Sequence, residues 1–359
     1  MTGLHFHALA VRDKRADTDD ACVVGFDVPA DLAAAYRFEP GQWLTLRAVL
    51  QGEEVRRSYS ICAAPGERLR VGVRRVPGGL FSNWLHDHLQ PGDRIDVLPP
   101  QGRFGAALAH LGQQTPLPRH VLLVAGGSGI TPVLSLLKTL LGHGGRTRCT
   151  LLYGNRSAAS TMFKEEIEDL KNRHLTRLAV HPVFSREQVD TPLQAGHIDA
   201  EKVLAVLLLA GPVDAAFVCG PHALNDAVEA ALRGAGVAPE RIHVERFGVP
   251  PAVAARPPVP QPGDVGTARI RIVRDGITRE LAYGPQDANI LAAATRAGLD
   301  LPYSCRSGVC ATCRAKLLDG RVRMDRTFAL EPADAAAGFV LSCQAHPLTD
   351  VVTLSFDTR

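Results

Sequence analysis

Nothing in this 359-residue chain approaches the run of about 20 apolar residues that a bilayer-spanning helix requires. Its most apolar stretch, residues 203–210, is short enough for a buried helix. A basic tract is missing too: 40 Lys and Arg face 37 Asp and Glu, a formal charge of +3. That balance excludes a nucleic-acid polyanion as the main partner, because nothing is set aside to neutralise phosphates. Met1 is followed by no long apolar leader segment, and the expectation is a cytoplasmic chain without a membrane anchor. There is no internal repeat, and biased composition is confined to one proline-rich stretch. A disulfide framework is also excluded: of the 8 cysteines, Cys22, Cys62, Cys149 and Cys219 are scattered through apolar segments, as free buried thiols are.

What is present is concentrated in the other four cysteines. Cys305, Cys310 and Cys313 form a C-x4-C-x2-C run, and Cys343 follows. This is the plant-type spacing for a 2Fe-2S cluster, in which four thiolates hold two irons. Zinc is the nearest competitor, but zinc sites use paired C-x2-C knuckles or histidines, and the chain has one such knuckle. Ser304, Arg306, Ser307 and Gly308 are expected to wrap the cluster with backbone N-H groups. The histidines, including His5 with His7 and His86 with His88, show no ligand spacing.

The length suggests two or three domains at roughly 100–200 residues each. Residues 1–110 are strand-like and punctuated by Pro40-Gly41, Pro77-Gly78-Gly79 and Pro91-Gly92, which predicts an antiparallel β-barrel. Residues 111–248 alternate buried strands with helical stretches, the pattern of a parallel α/β sheet. Residues 249–266 hold prolines too dense for a helix or central strand and read as a semi-rigid linker. Residues 267–359 begin with a period-two strand, a turn at Asp275-Gly276, a returning strand and a helix ended by Gly298, the order of a small α+β ferredoxin (β-grasp) domain.

Two glycine turns point to nucleotides. The apolar strand 121–125 runs into Gly126-Gly127-Ser128-Gly129-Ile130-Thr131-Pro132. Here backbone can approach a pyrophosphate and a helix N-terminus can face it, with Thr131 expected to cap the helix and Pro132 suited to its first position. After the next strand come Arg156 and Ser157, with no acidic residue between them and Tyr153, a combination that can hold a 2'-phosphate and favours NADPH over NADH. A third strand breaks at Cys219-Gly220-Pro221, where ligands bind in such sheets. In the first segment Arg57, Tyr59 and Ser60 place a cation, an aromatic plane and a hydroxyl on one strand. Alternation puts Arg57 and Tyr59 on the same face, suited to pyrophosphate and an isoalloxazine ring, with the Ser60 hydroxyl near the reactive flavin nitrogen. Gly79, Leu80 and Ser82 open a helix that can face flavin phosphates.

Together these residues resemble the ferredoxin-NADP reductase superfamily, through R-x-Y-S at Arg57, Tyr59 and Ser60, G-x-G-x-x-P at Gly127, Gly129 and Pro132, and C-G-P at Cys219, Gly220 and Pro221. With its C-terminal cysteines the chain looks like the reductases of multicomponent oxygenases. The resemblance implies FAD on the barrel, NADPH on the α/β domain, a 2Fe-2S cluster in the tail, and an oxygenase component as electron acceptor. It further implies that Cys219 faces the nicotinamide and that Glu245 and Phe247 lie near nicotinamide and flavin, with Ser60, Cys219 and Glu245 as the residues nearest the chemistry. A ring-hydroxylating oxygenase or a hybrid-cluster protein is an alternative acceptor, and FMN an alternative flavin. An iron-sulfur sensor or docking module is the alternative of another class.

Overall fold

A computed structural model describes residues 4–109, 119–143, 145, 147–248, 261–330 and 332–358. The expected junction at residues 110–111, and the linker over 249–260, lie outside these. The described chain divides into two compact units: His7–Val55 with Tyr59–Phe247, and Gly248–Arg359 with Met1–Phe6 and Arg56–Ser58.

The larger unit starts with β1 (His7–Thr18), β2 (Ala21–Asp27), β3 (Trp43–Leu50), β4 (Glu53–Ser60, apart from Arg56–Ser58), β5 (Arg70–Arg74), α1 (Leu80–His88) and β6 (Arg94–Val97). These strands form a six-stranded sheet in the order β4-β3-β6-β1-β2-β5. The two ends meet where the chain beyond β4 bridges β5, Ile61 to Val71, so the sheet curls toward closure as a barrel. Leu9, Val24, Leu44, Leu46, Val71 and Phe81 fill its interior.

After α2 (Ala106–Ala109), the chain forms β7 (His120–Gly126), α3 (Ile130–Gly142), β8 (Arg148–Asn155), α4 (Lys164–Arg173), β9 (Leu178–Phe184), α5 (Ala200–Ala210), β10 (Ala215–Gly220), α6 (His222–Gly234) and β11 (Ile242–Arg246). The five strands are all parallel, in the order β11-β10-β7-β8-β9. The central β7 is buried at every position, which explains the unbroken apolar run at residues 121–125 after the hydrogen-bonded His120: helices cover both faces. Barrel and sheet share one core, in which Ala21, Val23, Cys62 and Phe104 pack with Val121, Leu123, Leu134, Tyr153 and Phe163. Glu166 of α4 accepts from Arg70 of β5 at 2.5 Å and from Lys138 of α3 at 2.9 Å, adding charge-assisted links to that core.

The smaller unit contains β12 (Ala268–Arg274), β13 (Ile277–Tyr283), α7 (Ile290–Arg296), β14 (Arg314–Asp319), β15 (Val322–Met324), α8 (Pro332–Ala336), β16 (Phe339–Leu341), β17 (Ala345–Pro347) and β18 (Val351–Ser355). Its five-stranded sheet runs β13-β12-β18-β14-β16, with β12 and β18 parallel and the other pairs antiparallel, a β-grasp arrangement. The β12–β13 turn has Asp275 and Gly276 at φ of 55° and 73°, the left-handed pair a tight hairpin needs. The Asp357 carboxylate accepts both of their N-H groups, at 2.6 and 3.0 Å.

Candidate functional site

The glycine-rich turn between β7 and α3 is shaped by backbone pressed against backbone. A Cβ on Gly129 would lie 2.0 Å from the Cys219 carbonyl oxygen, and one on Gly126 would meet Pro221 at 2.8 Å. The turn and the Cys219-Gly220-Pro221 segment therefore interlock, and glycine is the residue that permits it. One expectation is corrected here: Thr131 does not cap the helix. α3 starts two residues earlier than expected, at Ile130 with Gly129 at the cap position, and the Thr131 hydroxyl donates to the Ser128 carbonyl at 2.9 Å inside the first turn. The first turn of α3 is left without a side-chain cap, and the same holds for α1 after Gly79 and α6 after Pro221. By contrast, Asp199 caps α5 and Asn289 caps α7. α4, after Phe163, lacks a side-chain cap as well, so an open first turn is not by itself a mark of a site; at α1, α3 and α6, expected at phosphate or nicotinamide positions, it leaves N-H groups that a ligand oxygen can take.

At the carboxyl end of β10, Cys219 is fully buried, and burial followed by the neighbouring Glu245 carboxylate holds its thiol well above the usual range. Glu245 lies beside it in register on β11. Burial pushes its carboxyl up to about 8, although the residue keeps some exposure. Asn225 of α6, buried and not singled out from the sequence, donates from its side-chain amide to the Glu245 carbonyl at 3.1 Å and holds β11 there. Phe247, just past β11, is 43% exposed.

The end of β8 carries Arg156 and Ser157. The Ser157 N-H donates to the Ser160 hydroxyl at 3.0 Å, shaping a compact loop whose far end is tied to the barrel: the Asp17 carboxylate accepts the Phe163 N-H at 3.0 Å. Arg156 pairs with Asp20 from the β1–β2 turn. Asp20 also pairs with Arg74 at 3.1 Å. Its carboxyl is lowered overall: burial, the largest influence, opposes this, while Arg74 and then Thr18 and Arg156 outweigh it. Arg74 in turn donates to the Ser160 carbonyl, and its guanidinium lies 3.2 Å from where a Cβ on Gly127 would sit. Arg74 and Asp20 were invisible as site residues in the sequence, because their partners are remote in the chain.

On the barrel, β4 ends in Tyr59 and the buried Ser60. The Tyr59 ring centroid lies 6.1 Å from that of Phe81 in α1. Arg57 is exposed and donates to its neighbour's carbonyl, that of Arg56, at 2.7 Å. The turn before α1 carries Gly78 at φ 71°, and the Ser82 hydroxyl accepts the Val76 N-H at 3.1 Å, so Ser82 braces the turn while Leu80 lies 39% exposed at its rim.

In the smaller unit the four cysteines form two neighbouring pairs, Cys305 with Cys310 and Cys313 with Cys343. Among the described residues no three His, Cys, Asp or Glu side chains gather around one ion position. Two thiols for each of two irons is the donor set of a 2Fe-2S cluster, and it disfavours a single zinc ion. In each pair one thiol loses its proton readily: Cys305 is lowered to about 5, first by its contact with Cys310, and Cys343 is lowered first by Cys313. The loop bends through left-handed backbone at Arg306, Gly308 and Ala311, and this turns the Ser307 N-H to the Cys305 sulfur at 3.3 Å. Gln344 donates to the Cys343 sulfur at 3.4 Å. Cys305 is half-buried and the other three are buried.

Comparison with known proteins agrees with this geometry. Residues 8–105 match the oxidoreductase FAD-binding domain family, 123–230 the oxidoreductase NAD-binding domain family, and 272–348 the 2Fe-2S iron-sulfur cluster binding domain family. The chain is 42% identical to a subunit of 1,2-phenylacetyl-CoA epoxidase from Escherichia coli (strain K12), over 99% of this chain and 98% of that one. It is 35% identical to the ferredoxin reductase component of 3-ketosteroid-9-alpha-monooxygenase from Rhodococcus rhodochrous, over 97% of this chain and 95% of that one. Phthalate dioxygenase reductase shares the fold, with a TM-score of 0.59 at 24% identity and 98% of each chain covered. No helix among the described residues is long and apolar enough to cross a membrane. An FAD-binding barrel, a pyridine-nucleotide sheet and a 2Fe-2S domain on one chain, with relatives alike from end to end, place this protein in the ferredoxin-NADP reductase superfamily, among the NAD(P)H-dependent reductase components that deliver electrons to oxygenases.

Proposed function

We propose that the chain takes electrons from NADPH and passes them, through FAD and the 2Fe-2S cluster, to the di-iron oxygenase component of a phenylacetyl-CoA epoxidase. The end-to-end likeness to the Escherichia coli epoxidase polypeptide, 42% over 99% of the chain, is the observation that carries the choice of acceptor. FAD, when bound, supplies the exchange between a two-electron hydride donor and a one-electron cluster.

The protein's part is to bind and orient. Arg57 and Tyr59 grip the flavin, Ser60 offers it a hydroxyl, and the open first turn of α1 at Gly79, Leu80 and Ser82 takes its phosphates. Gly127, Ser128, Gly129 and Thr131 bring the N-terminus of α3 to the pyrophosphate of NADPH, and Arg156 with Ser157 takes the 2'-phosphate. Gly220 and Pro221 shape the floor under the nicotinamide, and Phe247 borders it. Cys219 and Glu245 both hold their protons at neutral pH, so this floor is uncharged as hydride leaves the nicotinamide. Cys305, Cys310, Cys313 and Cys343 ligate the cluster from which single electrons depart.

The test adds the purified protein to a phenylacetyl-CoA epoxidase oxygenase complex and follows NADPH- and oxygen-dependent loss of phenylacetyl-CoA. Coupled turnover is expected from the wild type. The Cys310→Ser variant is expected to keep flavin bleaching by NADPH and lose turnover. Fast flavin and cluster reduction without product would redirect the acceptor to another oxygenase.

A further inference from the structure

The β1–β2 turn brings a carboxylate to the nucleotide sheet. Asp20 is fixed from three sides: the Thr18 hydroxyl donates to its carboxylate at 3.0 Å, the Arg75 N-H donates to its carbonyl at 2.7 Å, and Arg74 pairs with it at 3.1 Å. Its other oxygen meets Arg156, the arginine at the end of β8. The three side chains grade outward, Arg74 17% exposed, Asp20 30% and Arg156 48%, so Arg156 is the one an arriving ligand reaches first. On a sheet of this topology, the end of the strand after the glycine turn is where the 2' position of the ribose lies, and an arginine there accommodates a 2'-phosphate. That arginine already has an anion.

We propose that Asp20 is a specificity-determining residue: its carboxylate is the resident anion on Arg156, and a 2'-phosphate binds by taking its place. This rests on the reading above that Arg156 receives the 2'-phosphate. Exchange of one anion for another makes the gain from the phosphate smaller than an unoccupied arginine would give. A nucleotide without the phosphate leaves the Asp20–Arg156 pair intact. Arg74 stays on Asp20 through the exchange, which keeps the displaced carboxylate beside the site.

The experiment measures calorimetric binding of adenosine 2',5'-bisphosphate and of 5'-AMP to the holoprotein. Asp20→Asn, nearly isosteric, is expected to tighten the bisphosphate about fivefold, the size of one exposed ion pair, and to leave 5'-AMP unchanged. In an Arg156→Ala background, where the carboxylate has no arginine to occupy, the same substitution is expected to change bisphosphate affinity by less than about twofold. Equal effects of Asp20→Asn on both ligands, or none on either, would overturn the proposal while Arg156→Ala still weakens the bisphosphate selectively. If Arg156→Ala weakens both ligands alike or neither, the phosphate does not sit on Arg156, and both readings fall. Asp20→Ser gives the same comparison should the Asn side chain disturb the turn.

Discussion

Glu245 concentrates the residue-scale chemistry. A carboxyl whose pKa rises on folding from 4.5 to about 8 favours its neutral form in the folded protein. Its contribution to stability is therefore complete below 4.5 and is lost as pH climbs through 8. The rate of flavin bleaching by NADPH, measured by stopped flow, is expected to rise above about pH 8 in the wild type, as a carboxylate appears beside a nicotinamide that gains positive charge when hydride leaves. Glu245→Gln is expected to remove that limb and to flatten the decline of melting temperature between pH 5 and 8; a limb that survives in the variant would assign it to another group. At this scale the sequence was legible wherever a residue's neighbours in the chain are also its partners. The cysteine loop and the turn at Gly127 and Gly129 are of that kind. The Asp20 contact with Arg156 is not, because it joins segments 136 positions apart, and Asn225 reads from the sequence as an ordinary helical residue.

At the scale of elements, alternation and turn chemistry carried the prediction well. The β12–β13 hairpin, α7 and the unbroken apolar run of β7 follow from period, turn residues and burial. Helix starts were less legible. Thr131 has the side chain of a cap, but the close approach of Gly129 to Cys219 moves the first turn of α3 ahead of it. The contrast with α5 is testable. Its Asp199 carboxylate accepts the Lys202 N-H at 2.9 Å, and Asp199→Ala is expected to cost about 1 kcal/mol in denaturant unfolding while nucleotide affinity stays unchanged. A change in affinity would show that α5 communicates with the site.

For the whole molecule, the sequence suggested a barrel and a parallel sheet as successive domains, and their fold classes were readable because each has its own periodicity. Their shared core was not readable, since nothing local marks Ala21, Val23 or Phe104 as packing against β7, α3 and their neighbours. One cooperative calorimetric transition is expected for the unit that holds both, with a second transition, sensitive to iron chelation, for the unit with the cysteines. Two separate transitions for barrel and sheet would mean that the common core is weak. Many enzymes that join two ligands bring them together by closing one domain over another in every catalytic cycle. Here Gly72 of β5 leaves room for Thr131 and Phe163, approaches of 2.8 and 2.9 Å to any Cβ placed there, and the two halves are keyed together at the level of single atoms. Within this unit, the alignment of barrel and sheet is an event of biosynthesis, completed when the chain folds, and the exchange proposed at Arg156 is a movement of side chains inside that frame.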